Sequence, residues 1–420
     1  MKIGLDISPI QGPHRMRGIG SVIINFINHI DESDASEHEF VFYMYKEDAP
    51  EESALDILKT SKVKPEIRFI TPYTPRFNIR KLTKLMTVAR KYFIGDVRKH
   101  DTQDLDVFIQ MDQNTPLPRT RAKKILFAYD IIPYVLESRY LISYQTTRNG
   151  GSGVARSLKN HIRRLQYKYT VRSAARKADQ VIAISEHTKK DFNSILRIRN
   201  KKIKVAPLGA PDKVKHPKNI EIRPYRDTSW GALQGNPIDL EKDSYILYVG
   251  GIDARRQLLD LFASYNNLKA RGVEIKLVLA GDILKGINNI PELKMRKYVT
   301  RNSYTDDIIF LGFVTEQEKA WLYEHALSVV YPSVYEGFGL PVLEAMKYGT
   351  PVITYRNSSI KEVGGDAALY ANNEQEIVNY LLKLNDDPEW RKTISEKSQQ
   401  QAKGFSWEKT SKQILDIASS

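Results

Sequence analysis

The 420-residue chain carries a formal net charge of +14, with 41% hydrophobic and 27% charged residues, a length that suggests two or three domains and a composition able to bury sizeable cores. It has no cysteine, which excludes a disulfide framework and a thiolate metal site and fits a reducing cytoplasm. The opening MKIGLDISPI has too short an apolar run for a signal peptide, and no stretch approaches the roughly 20 apolar residues of a membrane span, so the expectation is a cytoplasmic protein, at most peripheral on the inner face of the membrane.

The first strand is expected over Lys2–Ile7, followed by a loop carrying Gly18-Ile19-Gly20 and an apolar helix through Val22, Ile23, Phe26, Ile27 and Ile30. Strand, glycine loop and helix make a Rossmann-like opening. The full Gly-x-Gly-x-x-Gly is absent, so the loop does not support a dinucleotide site. Further strands are expected at Phe40–Tyr45, Ile67–Phe69, Val107–Ile109, Lys124–Tyr129, Val181–Ile184 and Ile203–Val205, separated by helical stretches. That alternation argues a parallel sheet covered on both faces. Asp130 ends the Lys124 strand at the carboxyl edge, where open sheets bind ligands; a structural turn aspartate is the competing reading. The stretch 141–153 reads as a surface loop, and Ser185 as the N-cap of a helix that begins with Glu186. From Pro211 to Asp243 periodicity is lost and proline and charge gather, as in a linker.

Positive charge belongs to the N-terminal half. Residues 51–200 hold 30 Lys and Arg against 14 Asp and Glu, whereas residues 301–420 hold 12 against 17. Two segments concentrate it, 76–99 and 156–177, the second without one acidic residue. Apolar residues at helical spacing among the bases of the first make a helix able to lie on anionic lipid; a solvated basic face or a site for an acidic acceptor explains the same pattern. No nucleic-acid module is recognisable, so nucleic acid is not an expected partner.

A second start comes at Tyr245–Gly250, followed by Gly251-Ile252-Asp253-Ala254-Arg255-Arg256 and a helix. This half repeats the architecture of the first. Arg255 and Arg256 read either as surface arginines, mildly disfavoured at a helix start, or as cations placed for an anion. Strands are expected at Leu277–Ala280 and at Ile308–Leu311, the latter ending in Gly312-Phe313-Val314, and then at Leu327–Tyr331. The stretch Tyr335–Thr350, YEGFGLPVLEAMKYGT, follows as a glycine turn and a helix opened by Pro341. Gly337 and Gly339 let backbone approach a ligand, and the amides of Phe338, Gly339 and Leu340 sit at a helix start, where an anion is favoured. Glu336 and Glu344 flank that start with seven residues between them. Val352–Thr354 and helices from Glu374 to the end complete the chain, with Trp407 expected as a packed hydrophobe.

The segment EGFGLPVLEA resembles the E-x7-E signature of the retaining glycosyltransferases of family 4. The resemblance implies an α/β chain of the GT-B fold, two Rossmann-like domains facing each other across a donor-binding cleft: residues 1–210, with 405–420 packing back on them, a linker at 211–243, and 244–404. It implies that Glu336 holds the donor sugar, that Arg255 and Arg256 contact the diphosphate, that Glu344 accepts the ribose hydroxyls, and that Gly312, Phe313 and Val314 meet the base. Gly18 and Gly20 then approach donor phosphate or acceptor, and Gly251 the donor. Asp130 lies in YDIIPYV, which resembles a His-Asp-Leu-Ile-Pro pattern; Tyr129 stands in the place of the histidine. The implied activity is metal-independent sugar transfer from a nucleotide-sugar co-substrate to a glycan or lipid-linked acceptor in cell-surface polysaccharide, glycolipid or teichoic-type polymer assembly. The alternatives are a non-catalytic GT-B subunit that chaperones a partner transferase, and soluble disaccharide synthesis.

Overall fold

The computed structural model describes residues 1–11, 18–46, 61–70, 100–115, 117–136, 165, 167–218, 220–224, 237–281 and 305–420. They form two compact units, one drawn from Met1–Tyr134, Val154–Gly209 and Phe405–Ser420, the other from Val135–Gly153 and Ala210–Gly404.

In the first unit, strands β1 (Lys2–Asp6), β2 (Glu39–Tyr45), β3 (Glu66–Ile70), β4 (Val107–Gln110), β5 (Lys123–Ala128), β6 (Gln180–Ala183) and β7 (Ile203–Val205) form a parallel sheet in the order β3-β2-β1-β4-β5-β6-β7. β1 pairs with β2 and β4 (Ile3 opposite Phe40 and Val107), so the order reverses between β1 and β4. Continuous apolar runs such as Ile125–Ala128 suit strands buried on both faces.

Gly18 and Gly20 are not in a loop. They form the first turn of the helix Gly18–Asn28, because its buried face of Val22, Ile23, Phe26 and Ile27 continues back through Gly20. The last helix, Trp407–Ser419, belongs to this unit although it ends the chain. Lys123 Nζ donates to the carbonyls of Ile417 and Ala418 at 3.0 and 3.1 Å, and Ser411 Oγ to Phe26 O at 3.1 Å. Trp407 is buried among these contacts. The basic segment 76–99 and the loop 141–153 lie outside the described residues. Of 156–177, residues 167–177 are helical; Thr170, Val171, Ala174 and Ala175 pack inward, and Tyr169, Arg176 and Lys177 face out.

In the second unit, β8 (Tyr245–Val249), β9 (Lys276–Ala280), β10 (Ile308–Gly312), β11 (Ser328–Tyr331), β12 (Val352–Tyr355) and β13 (Leu369–Ala371) are parallel in the order β10-β9-β8-β11-β12-β13. The short β13 is absent from the sequence expectation. The order reverses between β8 and β11, the point at which open α/β sheets hold ligands beyond the strands' carboxyl ends. Those ends are stepped together: Gly250 N donates to Ala280 O at 2.9 Å and Gly281 N to Gly312 O at 2.6 Å. Described residues of the expected linker 211–243 fold onto this unit. Ile222 bridges Ile238, Trp321 Nε1 donates to Lys218 O at 3.2 Å, and His216 meets Glu324 at 2.6 Å.

No described helix is long and apolar enough to cross a membrane.

Candidate active site

The turn after β8 is built by Asp253. Its Oδ1 accepts from Arg255 N at 3.1 Å, starting the 3-10 turn Ala254–Arg256, and its Oδ2 takes the Arg255 guanidinium. Gln257 then turns the chain through a left-handed φ of 41° into the helix Leu258–Ala270. The arginines are drawn inward, so they are not surface residues: their side chains are 11% and 17% exposed. Arg256 lies over the Tyr331 ring, 5.6 Å from its centroid, and its NH1 donates to Gly251 O at 3.0 Å. Gly250 makes room for it, since a Cβ there would stand 2.5 Å from Arg256 NH1. Tyr248, stacked on Tyr331 at 6.0 Å between centroids, donates to the same Gly251 carbonyl at 2.9 Å.

Glu336 follows β11, the strand next to β8. Its Oε1 accepts from Tyr331 OH at 2.8 Å and Ser333 Oγ at 2.9 Å. Arg255 Nε lies 3.3 Å from Oε1 and NH2 3.5 Å from Oε2, and Arg256 Nε is 3.6 Å from Oε1. Burial pushes the Glu336 carboxyl up, but the two guanidinium charges and the two hydroxyls outweigh it, and the net direction is below the usual carboxylate value. Burial works against Arg255 too and is the largest effect on it, but Glu336, Asp253 and Tyr331 together outweigh it and hold the guanidinium's proton more tightly than usual. The result is a buried carboxylate kept ionised, with Oε1 crowded by donors and Oε2 met by Arg255 NH2.

Gly339 takes a left-handed φ of 104° and caps the helix Leu340–Tyr348; Pro341 stands second in that helix, where no intrahelical donor is required of it. Gly337 and Phe338 form the turn between Glu336 and this cap, with Phe338 buried. Glu344 lies one turn inside. Its Oε2 accepts from Tyr323 OH at 2.9 Å, and its Oε1 lies 3.5 Å from Lys319 Nζ. Phe313 projects beyond β10, 61% exposed, with Val314 half-buried behind it.

The structure thus brings together Arg255, Arg256, Glu336 and Gly251, with Gly337–Leu340 adjoining them; Glu344 stands a helix turn away, and Gly312 and Phe313 lie two strands along the same sheet edge. Asp130, Gly18 and Gly20 belong to the other unit. There Asp130 Oδ1 accepts from Ile132 N at 3.0 Å, a turn-making contact, while its carbonyl accepts from Gln113 Nε2 and from Tyr167 OH at 3.2 Å. Tyr129 is buried and hydrogen-bonded through its backbone, its N–H to Gln113 Oε1 at 2.8 Å.

Sequence reasoning missed Asp253, Tyr331, Ser333 and Tyr248. Asp253 had an available signal, an aspartate two residues before a turn amide; the others act through contacts set by the sheet.

Parallel sheets with Arg255, Arg256 and Glu336 gathered at the switch point make an α/β fold whose buried charges lie at the edge where such sheets hold ligands. Residues 236–401 match the family described as glycosyl transferases group 1. It is 35% identical over 174 residues to the O-antigen chain mannosyltransferase B of Escherichia coli, an alignment covering 41% of this chain and 45% of the relative. It spans less than half the length of that relative and of the serotype-specific mannosyltransferase WbdA of the same organism. Its fold is GT-B. The chain superposes on Anabaena Alr3699/HepE in complex with UDP-glucose with a TM-score of 0.61 at 15% identity, covering 100% and 99% of the two chains. For WaaG, a glycosyltransferase involved in lipopolysaccharide biosynthesis, the TM-score is 0.60 at 14% identity, with the same coverage.

Proposed function

We propose that the protein is a retaining, metal-independent glycosyltransferase that moves a sugar from a nucleoside-diphosphate donor to an acceptor hydroxyl, in assembly of a bacterial surface polysaccharide, glycolipid or teichoic-type polymer. The observation that carries this is the meeting of Arg255, Arg256 and Glu336 at the β8/β11 switch point. Relatives named as mannosyltransferases support the reaction class and make mannose the first sugar to test.

Breaking the glycosidic bond puts negative charge on the departing diphosphate, and fixed cations and N–H dipoles aimed at it lower the barrier most where water is excluded. Arg255 and Arg256 supply the cations without needing to be ordered first, because Asp253, Glu336 and the Tyr331 ring already hold them. Glu336 offers Oε2 to a sugar hydroxyl. Glu344 orients the ribose, held by Tyr323 and Lys319. Phe313 presents its exposed ring to the base. The departing diphosphate takes the acceptor proton. The basic N-terminal half is the candidate for acceptor recognition, and contact with anionic lipid is read from its two basic segments; sedimentation with anionic vesicles at low salt tests that contact.

The test of the donor site is calorimetric titration with UDP, GDP, ADP and dTDP, with and without EDTA, beside Glu344→Ala. Selective binding of one nucleotide that survives EDTA and weakens in the variant supports the reading. Absence of binding to all four overturns it and favours the non-catalytic subunit.

A further inference from the structure

The loop that follows β12, Asn357–Ser359, grips the backbone around Glu336 at four points. Asn357 Nδ2 donates to Ser333 O at 2.6 Å. Ser358 Oγ accepts from Glu336 N at 2.9 Å and gives its own proton to Asn357 Oδ1 at 2.8 Å. Ser359 Oγ lies 2.8 Å from Glu336 O and 3.0 Å from Phe338 O, both carbonyls accepting. Because the single proton of the Ser358 hydroxyl is committed to Asn357, a lone pair is left facing the Glu336 amide. The tripeptide therefore fixes the main chain on both sides of the Glu336 side chain.

Ser358 does this from a strained backbone. Its φ is 38°, in the left-handed region that favours glycine, and it is buried. Glycine would hold the same turn with less strain but has no hydroxyl to offer. A residue kept in a disfavoured conformation, with its side chain on the amide of an ionised buried carboxylate, is explained by what that side chain does.

We propose that Ser358 is a positioning residue for Glu336: its hydroxyl fixes the Glu336 amide, and through it the direction in which Oε2 is offered to the donor sugar. This rests on the donor-site reading above. The carboxylate itself is gripped separately by Tyr331, Ser333 and Arg255, so loss of the Ser358 hydroxyl misaims Glu336 without releasing it.

The experiment compares wild type, Ser358→Gly and Ser358→Ala. Release of nucleoside diphosphate from GDP-mannose and UDP-glucose is followed beside calorimetric binding of GDP and UDP and the thermal midpoint. Both variants are expected to lose roughly tenfold in kcat, the scale of one hydrogen bond, with nucleotide Kd within about twofold of wild type. The glycine variant should melt no lower than the alanine variant, which keeps the strain. Wild-type turnover in Ser358→Gly would show that only the turn's conformation matters and overturns the proposal. So would a joint loss of turnover, nucleotide binding and melting temperature in that variant. A wild-type protein that neither binds nucleotide nor releases it refutes the donor-site reading, and the proposal with it; a failure confined to Ser358→Gly leaves that reading standing.

Discussion

Arg255 meets Glu336 across 81 residues of chain, its Nε 3.3 Å from one carboxylate oxygen and its NH2 3.5 Å from the other. Both ends of the pair are buried, so each charge needs compensation close by, Arg255 from Glu336 and Asp253 and Glu336 from both arginines. Arg255→Ala leaves Glu336 with Arg256 as its remaining cation, beside the Tyr331 and Ser333 hydroxyls, and should raise its pKa. Expected are a loss of turnover of roughly 10²-fold and an acid limb of the pH–rate profile displaced to higher pH. A variant whose acid limb stays where the wild type has it would show that Arg255 does not hold the carboxylate ionised.

The same depression links Glu336 to stability. Its folded pKa lies below the ordinary value near 4.3, so the folded state releases the proton more readily than the unfolded chain. The stabilisation is complete above the unfolded value and is lost as pH falls through the folded one. The melting temperature of the wild type should therefore exceed that of Glu336→Gln at neutral pH, by a margin that shrinks on acidification through the carboxylate range. A margin independent of pH would contradict the assignment.

Phe313 is 61% exposed, so truncating it removes little buried apolar surface. Phe313→Ala should weaken nucleoside diphosphate binding by roughly tenfold, the scale of one base-stacking contact, and leave the thermal midpoint within about 1 °C. Unchanged affinity in calorimetry would remove Phe313 from the base site.

Lys123 closes the carbonyl end of the last helix through Ile417 and Ala418. Lys123→Met keeps much of the stem and removes both hydrogen bonds and the favourable charge at the helix C-terminus. A cost of about 1–2 kcal/mol in denaturant unfolding is expected. Stability equal to wild type would show that apolar packing around Trp407 holds this helix unaided.

The strands were legible because a parallel strand buried on both faces is a short apolar run bounded by turn residues. Lys2–Asp6, Ile203–Val205 and Tyr245–Val249 fall within a residue of expectation. The three-residue Leu369–Ala371 is too short to stand out from its surroundings. The start of the helix at Gly18 was misjudged because glycine reads locally as loop, whereas the buried apolar face decides. In the site, Glu336, Arg255 and Arg256 stood out through their motifs. Asn357, Ser358 and Tyr331 did not: a serine's hydroxyl on another strand's amide is set by β11 lying beside β12, which no local pattern encodes. Asp130 was legible as a residue at a sheet edge, where its Oδ1 accepts from Ile132 N.

The most direct test of the donor site is the turnover of Glu336→Gln, which keeps the shape of the side chain and removes its charge. Release of nucleoside diphosphate from GDP-mannose or UDP-glucose is measured beside calorimetric binding of GDP and UDP. A catalytic Glu336 gives a fall in kcat of roughly 10²-fold or more, with nucleotide binding retained, since the proposed donor site puts the diphosphate on the arginines and the base on the β10 end. Turnover at the wild-type rate would contradict a catalytic role for this carboxylate and for the cluster built around it.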